Sequence, residues 1–317
     1  MSSTAARGAA AVLGAAVLWG TVGPAQVLAA SNAGPLALGA ARLVVGGVVL
    51  LGLVIARGRG DLGRWRALGH GPTLGWLLLA AASTAAYQAA FLSSVARTGA
   101  ALSTVVALGV APPAVGVLAR VAGGERLTRP WLFGTVAAVA GTALLLLPGA
   151  TVHIDATGVL LGIAGGICYG IYTVAAKRLM DSAAPILVAV SATLISGGAM
   201  ILPFTGDLSR LTEPNTLALI GWLAVPATAF GYLLFVSGLR HVTAATAGTL
   251  SLAEPLVAAV LGLAFLGEHL PWPAGAGAGL LLAGLAVATV PAPRRSSTAP
   301  SEIAGDTISV SGAGTHR

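Results

Sequence analysis

The chain matches itself half a length apart, and the matching parts are hydrophobic runs. Shifting residues 111–127 by 143 positions puts Pro112 on Pro255, Gly124 on Gly267, Glu125 on Glu268 and Leu127 on Leu270. The same shift puts Arg97 on Arg240, Gly134 on Gly277 and Gly141 on Gly284. Earlier in each half the shift is 150, with Gly8 on Gly158, Trp19-Gly20 on Tyr169-Gly170, Pro35 on Pro185 and Gly47 on Gly197. The difference comes mainly from a longer basic loop after the second run of the first half. A fold for this chain must therefore be built from two copies of one unit.

Each unit holds five apolar runs of about 20 residues, long enough to cross hydrocarbon as a helix. In order they are 9–30, 35–56, 72–95, 99–121, 130–147, 157–176, 185–204, 216–236, 242–267 and 272–290. Hydrophobic residues make up 56% of the chain and charged ones 9%, too few to cover a soluble surface. A membrane barrel would read as short alternating segments, and these runs are continuous. Two tandem units of five spans, an odd number, must cross in opposite senses. The expected fold class is all-α integral membrane, with ten transmembrane helices as two inverted five-helix repeats. The repeats are expected at 9–147 and 157–290, after a cytoplasmic N-terminus at 1–8 and before a disordered cytoplasmic tail at 291–317. The link at 148–156 is too short for a soluble domain, and the 44 glycines suit close helix-helix approach.

The net charge of +7 would suggest nucleic acid in a soluble protein, but here the basic residues lie in short loops. With the N-terminus inside, the inner segments carry Arg7, Arg57, Arg59, Arg64, Arg66, Arg120, Arg126, Arg129, Lys177, Arg178, Arg240, Arg294, Arg295 and Arg317. The outer loops carry only Arg97 and Arg210. Fourteen against two fixes the expected orientation, with both termini cytoplasmic in a multi-pass protein of the cell (plasma or inner) membrane. The first run is not read as a cleaved signal, because its Trp19-Gly20 recurs in the second unit.

These features together resemble a known family. A Trp-Gly in span 1, an Arg in span 2 after Pro35, and Gly-Glu followed by a basic or polar turn after spans 4 and 9 look like the EamA-type branch of the drug/metabolite transporter superfamily. The resemblance covers nearly all of 9–290. It implies a ten-helix exporter in which helices 1–4 and 6–9 enclose a central cavity and helices 5 and 10 are peripheral. Members of that family move amino acids, other metabolites, amines or drugs, mostly outward. One departure from internal symmetry matters: Arg42 has Ala192 opposite it, and Glu254 has Ala111. A cavity lined by these two charges would be asymmetric.

Charges in hydrocarbon are costly and mark function by default. Arg42 is either an anchor for a substrate carboxylate or phosphate, through its planar fork, or a brace. As a brace it would snorkel outward or pair with a helix-end carbonyl or Glu254. Because the resembled family often carries an Arg there whatever its substrate, bracing is the expected role. Glu254 lies near mid-membrane, where a carboxylate is driven towards its neutral form. It is the candidate coupling residue of a proton-linked exporter, against the alternative of a fixed partner for Arg42 or for backbone loosened by Pro255. Pro112 and Pro255 are expected to kink spans 4 and 9.

Tyr87 and Gln88, with Ser83 and Thr84 one turn earlier, form a polar strip, and Trp19, Tyr169 and Tyr172 add aromatic surface. These are cavity candidates, with plain interhelical packing as the alternative for each. Glu125 and Glu268 are expected to cap the next helix or to pair with Arg126 or His269. The histidines show no metal-ligand spacing and Cys168 stands alone, so no metal, cofactor or redox role is expected. Neither a catalytic constellation nor a phosphate-binding Gly-Lys-Ser/Thr signature is present, which argues against an enzyme or an ATP-driven pump. The reading is a secondary active transporter exporting small metabolites or drugs by alternating access, proton coupling being one option. An importer or facilitator of the same fold is the alternative. Expected partners are a small-molecule substrate and the lipid bilayer, not nucleic acid, and a homodimer is compatible with the sequence.

Overall fold

The computed structural model describes residues 3–57, 66–150, 153–182 and 185–290. The tail at 291–317, with Arg294, Arg295 and Arg317, and the loop residues Arg59 and Arg64 lie outside the described residues. Ten apolar helices follow one another: α1 (Ser3–Ala29), α2 (Pro35–Ala56), α3 (Gly71–Thr98), α4 (Ala100–Gly123), α5 (Arg129–Leu146), α6 (Ala156–Met180), α7 (Ile186–Phe204), α8 (Pro214–Leu239), α9 (Ala244–Phe265) and α10 (Trp272–Ala288). Nine are long enough to cross a membrane and α10 has 17 residues. Each expected span finds its helix. The largest shift is at the start, where α1 begins at Ser3 and Gly8 already packs beside Gly238 of α8 and His241 just beyond its end.

Local chemistry sets the helix ends. Pro35 opens α2 at a position where no backbone donor is needed. Thr128 caps α5 by accepting from Trp131 N at 3.2 Å, and Asp155 caps α6 by accepting from Gly158 N at 2.6 Å. Gly124 closes α4 at φ +65°, which a glycine adopts without a steric penalty.

Helix packing repeats itself about a pseudo-two-fold. α3 packs on α6 as α8 packs on α1, α4 on α6 as α9 on α1, and α3 on α7 as α8 on α2. The pairs α2·α7, α4·α9 and α5·α10 map onto themselves. The α5·α10 contact is the tightest expression of this symmetry. A Cβ on Gly134 would lie 2.6 Å from Gly284 O, and one on Gly141 would lie 2.8 Å from Gly277 O. The 143-residue shift turns each of these pairs into the other. With no side chain in the way the backbones touch, which is how helices associate where hydrophobic burial offers no driving force.

α7 ends in a 3-10 turn over Leu202–Phe204, and three other helices depart from regular geometry within their length. α1 breaks at Thr21, and α8 runs as a π-helix over Leu223–Phe230 around Pro226. α9 is interrupted at Ser251 and Leu252. Pro255 has no N–H for Ser251 O, so that carbonyl accepts instead from Glu254 N at 3.0 Å. α4 continues as one helix through Pro112 and Pro113.

The helix ends divide between two faces. A basic face gathers the start of α1 beside the end of α8, the end of α2 beside the start of α7, and the end of α4 beside the start of α9. It also holds the end of α6 beside the end of α8 and the start of α3, and the end of α10 beside the start of α5. The opposite face gathers the end of α1 beside the start of α8, the α3–α4 turn beside the start of α6, and Gly149, after α5, beside Pro271 at the start of α10.

Candidate functional site

Seven helices contribute to one cavity of about 130 Å³. Val22 and Gln26, near the end of α1, and Pro35, at the start of α2, belong to its wall, so the cavity reaches the face opposite the basic one. On the basic side the helices close. Gly248 of α9 lies against Val115 of α4, with 3.1 Å between the position of a Cβ and Val115 Cγ2. Lys177 Nζ donates to Leu239 O and to Val242 O, the latter at 2.9 Å, tying α6 to the end of α8.

All of the polar and aromatic residues singled out in the sequence as cavity or coupling candidates line this space: Trp19, Arg42, Thr84, Tyr87, Gln88, Tyr169, Tyr172 and Glu254. Pro112 and Pro255 do not. Arg42 Nη2 donates to Gln88 Oε1 at 3.3 Å, while its Nε is buried with no partner. The Gln88 amide fits because residue 39 is glycine, where a Cβ would stand 2.7 Å from Gln88 Nε2. Of the bracing partners considered for Arg42, Glu254 is not one in contact. No ion pair joins the two, and no hydrogen bond of the Glu254 carboxylate occurs among the described residues. The break in α9 presents Glu254 to the cavity, and α1 approaches this turn closely. A Cβ on Gly20 would stand 2.7 Å from Glu254 O.

Six aromatic rings surround the charged pair. Trp19 meets Tyr232 edge-on with centroids 5.5 Å apart, Tyr87 stacks on Phe91 at 5.7 Å, and Tyr172 meets Tyr232 at 5.6 Å. Phe235, fully buried, touches Trp19, Tyr169 and Tyr172 from beneath. Ser251 Oγ donates to Ala247 O at 3.1 Å, which leaves Tyr169 OH to donate to Ser251 Oγ at 2.7 Å. That bond ties α6 to the break in α9. Tyr172 OH is buried and unpartnered. Such orphaned polar atoms are rare inside proteins and call for a partner. The arrangement offers a cation, an anion, hydroxyls and aromatic faces in one small space.

Sequence reasoning missed Tyr232, Thr228 and Phe91 of the wall and Phe235 beneath it. One signal was available, since all four tyrosines of the chain line the cavity.

The EamA-like transporter family matches residues 6–147 and 156–290, once for each half. The uncharacterized transporter YwfM of Bacillus subtilis (strain 168) is 38% identical over 294 residues, 91% of this chain and 95% of that protein. The threonine/homoserine exporter RhtA of Escherichia coli (strain K12) is 34% identical over 139 residues, 43% of this chain and 46% of that exporter. A solved crystal structure of a protein superposes with a TM-score of 0.77 at 20% identity, over 89% of this chain and 96% of that one. That last likeness is one of fold.

Proposed function

The chain belongs to the EamA-like transporter family, and from that premise we propose a secondary transporter of the cell membrane that exports small amino-acid-like zwitterions by alternating access. One observation carries the reading: Arg42 from the first half and Glu254 from the second line a single cavity without pairing. Opposite charges that face one cavity without touching leave room for a solute between them, and neither has an ion-paired partner of its own. A solute bearing a carboxylate and an ammonium group supplies the missing partner to both. The Arg42 fork, held at one corner by Gln88, takes the carboxylate. Glu254 and the aromatic faces take the ammonium. Threonine and homoserine, named for the partly matching relative, carry this pair of charges.

The fourteen-to-two basic bias assigns the basic face to the cytoplasm, which makes the cavity outward-facing. Coupling follows from Glu254 having two competing cationic partners. In the inward-facing state the ionised carboxylate accepts the solute's ammonium. In the outward-facing state an external proton takes the carboxylate and the solute leaves. The protein returns neutral at this position and releases the proton inside. One proton enters for each solute exported.

Proteoliposomes with imposed pH gradients test this with labelled amino acids. Glu254→Gln is expected to keep exchange of solute across the membrane, at a higher half-saturating concentration, and to lose uphill transport. Arg42→Ala is expected to lose solutes that carry a carboxylate. If Glu254→Gln still concentrates solute with the wild-type pH dependence, Glu254 is not the coupling group. If wild-type flux simply follows the solute gradient, the protein is a facilitator.

A further inference from the structure

Glu125 and Glu268 occupy equivalent positions in the two halves, on opposite faces of the membrane fold, and only one of them is engaged. Glu125 does not cap the next helix in its own half, since Thr128 caps α5. It reaches into the other half instead. Its Oε1 accepts from Ala244 N at 2.9 Å and its Oε2 from Ala245 N at 3.3 Å, the first turn of α9. Both bonds are charge-assisted, and both lie where the helix dipole favours an anion. They hold α9 against α4 on the basic face, where the Gly248–Val115 contact closes the fold.

The 143-residue shift carries Glu125 to Glu268, and Ala244 and Ala245 to Ala101 and Leu102. Those residues form the first turn of α4 on the opposite face, where no side chain caps the helix. Glu268 is exposed and its carboxylate forms no hydrogen bond among the described residues. It rests against its own helix, with Oε2 where a Cβ on Gly262 would project. The same acceptor and the same pair of donors thus exist at both ends, joined at the closed end and separate at the open one.

We propose that Glu125 and Glu268 are further residues of the transport machinery, acting as alternating latches. Closing the open face brings Glu268 onto the N–H groups of Ala101 and Leu102, while Glu125 releases those of Ala244 and Ala245. Each latch offsets part of the loss of the other, so the two states stay close in free energy, as a carrier that must visit both requires. The basic face has an additional tie that symmetry does not supply. Lys177 bonds two carbonyls there, and its equivalent at a shift of 150 is Val27, which has no donor.

The inference rests on the alternating-access reading, so its test uses conformation rather than flux. In a Cys168→Ser background, maleimide labelling of Val115→Cys reports opening of the basic face, and labelling of Leu92→Cys reports the present cavity. Adding Glu125→Ala is expected to raise the Val115→Cys rate, lower the Leu92→Cys rate and so raise the ratio of the two by about tenfold or more, since two charge-assisted hydrogen bonds are lost and one strong charged bond alone shifts such an equilibrium about tenfold. Adding Glu268→Ala is expected to lower the Val115→Cys rate, and an unchanged ratio of Val115→Cys to Leu92→Cys labelling in that variant removes Glu268 from the latch. Glu125→Asp keeps the charge on a shorter arm and should shift labelling in the same direction as Glu125→Ala by less, which decides the matter if the alanine variant fails to fold. The proposal is overturned if both glutamates shift labelling in the same direction, or if neither shifts it. Flux measured alongside separates the two readings. A working transporter whose labelling ignores both glutamates loses only the latch, whereas opposed labelling shifts without solute flux count against the transport function.

Discussion

Gln88 accepts a hydrogen bond from Arg42 at 3.3 Å, and its amide occupies the space that a side chain on Gly39 would need. Three residues on two helices thereby aim one guanidinium. Gln88→Leu removes the acceptor while keeping the bulk. We expect the half-saturating concentration of a carboxylate-bearing solute to rise about tenfold with the maximal rate little changed, the scale of one hydrogen bond to a charged group. Gln88→Glu, which would neutralise Arg42 directly, should abolish binding of that solute. Concentration-dependent uptake measures both, and an unchanged half-saturation in Gln88→Leu would show that Arg42 needs no such positioning.

Gly231 leaves the room that the Trp19 indole fills, since a Cβ there would stand 2.8 Å from Nε1. Gly231→Ala should push the ring into the cavity, cost about 1–3 kcal/mol as overpacking does, and reduce transport. Adding Trp19→Leu should recover the lost stability without restoring transport. Thermal unfolding in detergent and uptake in liposomes separate the two effects. If the single variant transports normally, the Trp19 wall is more yielding than its packing implies.

Gly141→Ala tests the frame rather than the site. Its Cβ would meet Leu281 N at 2.4 Å, a backbone atom that cannot rotate away. Unfolding temperature should fall, while solute affinity of the folded fraction stays at the wild-type value, because neither α5 nor α10 lines the cavity. A loss of affinity with unchanged melting would reverse the assignment.

Topology reporters fused after residue 62 and at the C-terminus should read cytoplasmic, and fusions after Asp155 and Asp207 external. A cytoplasmic reading at Asp155 would place the two halves in one orientation and break the inverted arrangement.

Much of this was legible in the residues because a bilayer permits so few solutions. Continuous apolar runs had to be helices, and polar residues inside them had to face one another. That is why Arg42, Gln88, Tyr169 and Glu254 stand out from sequence and share a cavity in the structure. Tyr232 and Thr228 did not stand out. They lie in α8 at and just after the π-helical stretch, which changes the face that looks inward, and their counterparts at a shift of 143 are Ala89 and Ala85. The reach of Glu125 was hidden for another reason. Sequence shows that a carboxylate follows α4, but not that the start of α9 lies within its reach 119 residues away.

The α5·α10 glycine pairs obey the two-fold, while the charges of the cavity do not. A dimer of identical five-helix chains could have built the glycine contact, but it would have been obliged to show each charge twice, setting arginine against arginine and glutamate against glutamate. Joining the two copies in one polypeptide frees them to divide the labour. On the function proposed above, the frame keeps the duplicate pattern that opening both membrane faces by one movement requires, and the lining is free to drift apart to fit a solute whose own two ends differ.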